Sequence, residues 1–159
     1  MFESVAYNGN KEQQYEMLLK QLTALIEDEP DKLANLSNAS ALLNQFLEQI
    51  NWVGFYLLKK DQLVLGPFQG LPACVRINIG SGVCGTAVQE KRSIVVDDVT
   101  KFPGHIFCDA ASQSEIVIPI FKDEKILGVL DIDSPIKERF DEIDQVYLEK
   151  FVHLLVAGI

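Results

Sequence analysis

Apolar residues recur at helical spacing through the first third of the chain and at alternate positions through much of the rest. Tyr15, Leu18, Leu19, Leu22, Leu25 and Ile26 share one face of a predicted helix that Pro30 interrupts. Asp31 stands where a cap is needed for a second helix, in which Leu33, Leu36, Leu42, Leu43, Phe46, Leu47 and Ile50 keep the same spacing up to Asn51. There the period shortens. Residues 52–58 and 62–68 read as a hairpin around the charged tip Lys59-Lys60-Asp61, and 74–79 as a third strand. After Gly80-Ser81-Gly82, residues 83–90 read as a short helix and 93–96 as a buried strand ending at the turn residues Asp97-Asp98. Residues 100–114 show no period and hold Pro103, Gly104, His105 and Cys108; a loop of this length inside a compact domain is usually functional. Residues 115–121 and 125–133 form a last hairpin around Asp123-Glu124, closed by Ser134-Pro135. A final helix starts near Asp141, its apolar face carrying Ile143, Val146, Tyr147, Phe151, Leu154 and Leu155, with Asp141 and Asp144 at the N-cap and in the first turn.

This order predicts an α+β fold. A central antiparallel sheet of about six strands would carry the N- and C-terminal helices on one face and a loop-covered pocket on the other. In the last strand Leu127, Val129, Asp131 and Asp133 share one side, and Gly128, Leu130 and Ile132 the other. The wholly apolar side should meet the helices, which turns the carboxylates toward the pocket. Glu115 joins them only if the hairpin has an odd-length connection or a bulge, because a two-residue turn sends it to the opposite face. Both registers are open at this level.

With 159 residues, 48% of them hydrophobic, the chain can bury a substantial core as one domain, 1–159. The net charge is -9, and basic residues cluster no further than the pairs Lys59-Lys60 and Lys91-Arg92, which argues against nucleic acid and anionic membrane as partners. The start Met1-Phe2-Glu3-Ser4 lacks a basic region followed by an apolar stretch, and no apolar run is long enough to span a bilayer, so a soluble, cytoplasmic protein is expected. In that reducing compartment Cys74, Cys84 and Cys108 are more readily catalytic, metal-binding or inert than structural.

Few basic residues are near the candidate acids. Lys101 is the one Lys or Arg between Ser93 and Phe121, and none lies between Leu130 and Pro135. Carboxyl groups gathered in a partly apolar pocket cannot all ionise cheaply, so at least one should stay protonated near neutrality and serve as a proton donor. Thiols beside such acids suit reduction of an oxidised sulfur, with electrons from a thiolate and the proton from a carboxyl. Cys84 begins the short helix, where N-terminal amides favour a thiolate; Cys108 lies in the long loop beside Asp109. The cysteine spacings match no zinc motif, although three thiols plus His105 could supply four ligands. Trp52 and Tyr56 share one strand face and could wall a pocket, and His153 reads as a structural residue on the last helix.

The segments Asn51-Trp52-Val53-Gly54-Phe55-Tyr56, Leu65-Gly66-Pro67-Phe68-Gln69-Gly70, Ala73-Cys74-Val75-Arg76-Ile77 and Gly82-Val83-Cys84-Gly85-Thr86-Ala87 carry a resemblance that continues downstream. With Gly104-His105-Ile106-Phe107-Cys108-Asp109-Ala110-Ala111-Ser112, Ser114-Glu115-Ile116-Val117 and Gly128-Val129-Leu130-Asp131-Ile132-Asp133-Ser134, they closely resemble the free methionine-(R)-sulfoxide reductases, stand-alone GAF-domain enzymes. The resemblance implies that Cys108 attacks the sulfur of free L-methionine (R)-sulfoxide while Glu115, Asp131 or Asp133 donates a proton to the oxygen. It implies a sulfenic acid on Cys108, resolved by Cys84 with Cys74 as the alternative or secondary thiol, and a disulfide recycled by thioredoxin. On that order, Cys74→Ser should retain a substantial part of the activity. Trp52 and Tyr56 would surround the substrate methyl group, with Asp109 a further substrate contact. No metal or organic cofactor is implied, and a homodimer is compatible with the family. The main rival is a non-catalytic GAF module sensing a small molecule or oxidant; such sensors usually adjoin an output domain, for which this chain is expected to have no room. A zinc-stabilised structural domain is the third reading.

Overall fold

Helix α1 (Lys11–Ile26) starts at a capping box: Asn10 Oδ1 accepts from the Gln13 amide at 2.8 Å, and Gln13 Oε1 accepts from the Asn10 amide at 3.0 Å. The computed structural model describes residues 2–159, with Met1 outside them. Asp31 caps α2 (Lys32–Phe46) by accepting from the Ala34 amide. That helix stops four residues short of the predicted Ile50, because Leu47 leaves it in extended backbone and Gln49 takes a left-handed conformation. Leu33, in its first turn, is exposed.

Strands β1 (Trp52–Lys59), β2 (Gln62–Gly70), β3 (Arg76–Asn78), β4 (Ile94–Val96), β5 (Ser114–Lys122) and β6 (Lys125–Ser134) form an antiparallel sheet in the order β3-β2-β1-β6-β5-β4. Helix α3 (Gly82–Glu90) links β3 to β4, and α4 (Glu142–Leu155) follows β6. The third strand is shorter than predicted, so Cys74 and Val75 lie before it, although the Leu65 amide still bonds the Val75 carbonyl.

The alternation in the strands sorts the two faces. Val53, Phe55, Ile116, Ile118, Ile120, Leu130 and Ile132 join Leu18, Leu22, Leu43, Leu148 and Phe151 of α1, α2 and α4 in one core. Trp52, Tyr56, Val117 and Val129 face the other way and meet Val83, Cys84, Ala87 and Val88 of α3. In α4 the buried stripe runs through Asp144, Tyr147, Leu148, Phe151, Val152 and Leu155; Val146 falls off it and is exposed.

The register that sequence left open rests on one extra residue. Asp123 and Glu124, both at positive φ, make a two-residue turn that pairs Lys122 with Lys125 and Phe121 with Ile126. The next pair is Ile120 with Gly128, which leaves Leu127 as the extra residue of a bulge on β6. Past it Glu115 stands opposite Asp133, and Val117 opposite Asp131. The bulge therefore reverses the parity a simple hairpin would impose and brings Glu115 to the carboxylate face. It also turns Leu127 to the helix-side core, contrary to its predicted place beside Val129 and Asp131.

Candidate active site

Two adjacent strands supply three acids to one face: Glu115 from β5, Asp131 and Asp133 from β6. Helix α3 brings Cys84 against them. A Cβ at Gly85 would lie 2.2 Å from the Asn78 carbonyl oxygen, so the lack of a side chain lets α3 approach the end of β3 that closely. Cys84, one residue earlier, is 3% exposed. The 100–114 stretch begins with a single 3-10 turn, Val99–Lys101, whose Asp98 cap accepts from the Thr100 amide, and then crosses the mouth of the site. Trp52, Tyr56, Cys84, His105, Cys108, Asp109, Glu115, Asp131 and Asp133 all line the resulting pocket. Every residue singled out for chemistry by sequence thus borders this pocket or, for Cys74, is bonded to it.

Cys108 is disulfide-bonded to Cys74, with Cα atoms 5.6 Å apart, and Cys84 is a free thiol. This differs from the order implied by resemblance, in which Cys84 was the first resolving thiol. The thiolate expected at the N-terminus of α3 is not favoured either: burial pushes the Cys84 thiol up, and Asp131, Glu115 and Asp133 beside it add to the shift. The N-terminal amides of α3 do not offset burial and three neighbouring acids.

The walls hold the bridge in place. The Tyr56 hydroxyl donates to the Cys74 carbonyl at 2.8 Å, and Trp52 Nε1 donates to the Leu71 carbonyl at 3.1 Å. Trp52 stacks between Tyr56 and Phe68, with ring centroids 5.8 and 5.2 Å away. Asp109 Oδ2 accepts from Asn51 Nδ2 at 2.9 Å, and its Oδ1 accepts from the Ala111 amide. Asn51 Nδ2 also donates to Ser112 Oγ at 3.1 Å.

Burial is the main cause of the acids' behaviour. It raises the carboxyls of Glu115, Asp131 and Asp133 well above the ordinary range, and mutual repulsion adds to each: Asp133 acts on Glu115, Glu115 on Asp131, and Asp131 on Asp133. The nearby Ser112 hydroxyl lowers Asp133 somewhat, and the closeness of Asp131 and Glu115 shifts the proton between them, without reversing this. The site can therefore present protonated carboxyls at neutral pH.

His105 was noted in sequence only as a neighbour of Cys108 and a candidate zinc ligand. Its Nε2 lies 3.2 Å from Glu115 Oε2, with both side chains below one-tenth exposed. Burial lowers the imidazole pKa while it raises that of Glu115, so the contact joins neutral groups rather than an ion pair. Asn51 and Ser112 were likewise missed as organisers of the pocket mouth; position beside Trp52 and Cys108 was the one available signal. Three buried polar atoms here have no partner: Asp131 Oδ1, Asn51 Oδ1 and His105 Nδ1. Such atoms are costly unless a ligand or water meets them.

A curled sheet with helices on one face, and a pocket on the other, is the architecture of a GAF domain, and the GAF domain family matches residues 38–159. Protein YtsP of Bacillus subtilis is 60% identical over 161 residues, covering 100% of this chain and 99% of that protein. The free methionine-R-sulfoxide reductase of Escherichia coli is 52% identical over 143 residues, covering 90% of this chain and 87% of the relative. The X-ray structure of the free methionine-R-sulfoxide reductase of Neisseria meningitidis in complex with its substrate superposes with a TM-score of 0.94 at 42% identity, over 99% of this chain and 95% of that one. The chain belongs to the free methionine-(R)-sulfoxide reductase family of GAF-domain proteins.

Proposed function

We propose that the pocket reduces free L-methionine (R)-sulfoxide to L-methionine, with Cys108 as nucleophile and Cys74 as resolving thiol. The observation that carries this reading is the Cys74–Cys108 bridge at the edge of a pocket whose floor is three carboxyls with raised pKa values. In the reduced protein, the Cys108 thiolate attacks the sulfoxide sulfur as a buried carboxyl protonates the sulfoxide oxygen. The sulfur–oxygen bond breaks, methionine leaves, and the oxygen stays on Cys108 as a sulfenic acid. The Cys74 thiol then attacks Cys108 Sγ, forming the disulfide and releasing water. Two electrons and two protons from an external dithiol restore the thiols by exchange.

Glu115 is the best placed donor, since the neutral His105 contact orients its carboxyl. Asp131 Oδ1, an acceptor without a partner, and the Asp133 carboxyl both line the pocket and can meet a substrate ammonium, and Trp52 and Tyr56 offer faces to the methyl group. A residue inside a peptide has no free ammonium to satisfy them, which supports preference for the free amino acid.

Thioredoxin, in the cytoplasm, is the proposed dithiol. Cys74 and Cys108 are half-buried, and the exposed apolar residues Leu71, Val75, Ile106 and Phe107 flank them, leaving a greasy rim on which a protein reductant can settle. Turnover coupled to thioredoxin and NADPH, measured separately with each sulfoxide diastereomer, tests the reading. The R form should be consumed and the S form not, and Cys108→Ser should abolish consumption. No turnover of the R form removes the enzyme reading and leaves a binding module.

A further inference from the structure

The bridge accounts for two of the three cysteines and leaves Cys84 without a chemical task. Its thiol sits at the bottom of the pocket with Glu115 and Asp131, and one ligand-capable atom from each lies within 4.8 Å of the other two. Asp131 Oδ1 is buried, lines the pocket and has no hydrogen-bond partner. His105 Nε2 stands 3.2 Å from Glu115 Oε2, on the loop above. The set on the floor comprises one sulfur and two carboxylate oxygens, and His105 lies outside it.

We propose that zinc, or another thiophilic divalent cation, binds this pocket floor through Cys84 Sγ and one oxygen each of Glu115 and Asp131, with the fourth position left to water, and excludes the sulfoxide from it. A thiolate beside two carboxylates suits a borderline-soft tetrahedral ion rather than magnesium or calcium, which take oxygen ligands. Zinc arms of about 2.0–2.3 Å hold ligands roughly 3.3–3.8 Å apart, so the three floor atoms need to close by about an ångström. The ion replaces the protons on the thiol and the two carboxyls and takes up the open valence of Asp131. It is an inhibitor here, not a cofactor, because it occupies the acids that must protonate the sulfoxide oxygen. Binding itself needs only the three side chains; the inhibitory consequence rests on the reductase reading.

Cobalt(II) titration of the full-length protein, with the Cys74–Cys108 bridge intact, tests the site directly. In that form Cys84 is the sole thiol, so a near-ultraviolet thiolate-to-cobalt charge-transfer band reports it alone. The band should appear at one equivalent of cobalt, vanish on addition of one equivalent of zinc, and be absent from Cys84→Ser. Asp131→Asn should weaken zinc, measured against a chromophoric chelator, by at least about 10-fold. No band in the wild type, a band that survives Cys84→Ser, or unchanged zinc affinity in Asp131→Asn overturns the proposal, and the last of these holds even if Cys84→Ser fails to fold. Turnover of the sulfoxide by metal-free protein is measured alongside. Normal turnover without a band removes the zinc site and keeps the reductase; a band without turnover does the reverse.

Discussion

Glu115 shows how a single side chain acquires its chemistry from three neighbours. Burial raises its pKa first, the Asp133 carboxyl opposite it adds to the shift, and His105 fixes the oxygen that faces it. If Glu115 is the proton donor, kcat/KM falls as pH rises through the folded pKa, because the group loses the proton it must give. Glu115→Gln keeps the shape and cannot donate. It should lower kcat by roughly 10²–10⁴-fold, change KM little, and remove the alkaline limb that Glu115 causes. A pure KM defect in steady-state kinetics contradicts the role. The carboxyls themselves were legible in sequence, since Asp131 and Asp133 stand among apolar residues with no nearby Lys or Arg. Their companion His105 was not, because loop residues carry no periodicity from which a facing partner can be read.

Among elements, the β5–β6 hairpin decides whether there is a site at all. Its turn and its alternation were readable, but a one-residue bulge leaves no mark in a pattern where Ile126, Leu127 and Val129 are all apolar. The cysteine pairing was hidden for a similar reason: the place of Cys74 involves a contact across the sheet, the Tyr56 hydroxyl on its carbonyl, that local sequence does not display. Helix ends fared better. Asp141 and Asp144 form a capping box for α4, and the fully buried Asp144 also accepts from Tyr15 Oη at 2.6 Å and pairs with Lys11 Nζ at 2.8 Å and Arg139 at 3.4 Å. This joins α1 to α4 beneath the sheet. Asp144→Ala leaves the buried Tyr15 hydroxyl without its acceptor, breaks the α4 capping box and takes one partner each from Lys11, which keeps Asp141, and Arg139, which keeps the Glu48 carbonyl; it should cost about 2–4 kcal/mol in denaturant unfolding. A loss below about 1 kcal/mol, typical of a surface pair, contradicts the account.

For the whole molecule, the fold divides its labour between the two sheet faces. The helix side is dry and apolar, and supplies the stability that the pocket side lacks. Three carboxyls with folded pKa values above their unfolded ones, ordinarily near 4, bind more protons folded than unfolded. Their contribution to stability is complete below the unfolded pKa and is lost as pH rises through the folded values. His105 works in the opposite direction: its lowered pKa costs stability as pH falls through the unfolded value, near 6.5. Asp131→Asn, a neutral copy of the protonated acid, should therefore raise stability by about 0.5–2 kcal/mol at neutral and alkaline pH while depressing reduction. It should also flatten the alkaline decline in Tm. An unchanged slope of Tm against pH would show that Asp131 ionises without penalty. Among the described residues no helix is long and apolar enough to cross a membrane, and the apolar surface that the helices leave uncovered gathers partly at the bridge.

The central claim is that sulfoxide reduction ends in a bond between Cys108 and Cys74 while Cys84 stays a thiol. Fully reduced protein is mixed, without oxygen or reductant, with one equivalent of L-methionine (R)-sulfoxide; released methionine is measured, and the alkylated, digested protein is mapped by mass spectrometry. One methionine per chain, a Cys74–Cys108 cross-link and an alkylated Cys84 are expected. A cross-link that includes Cys84, or oxidation of the cysteines without methionine release, contradicts the account.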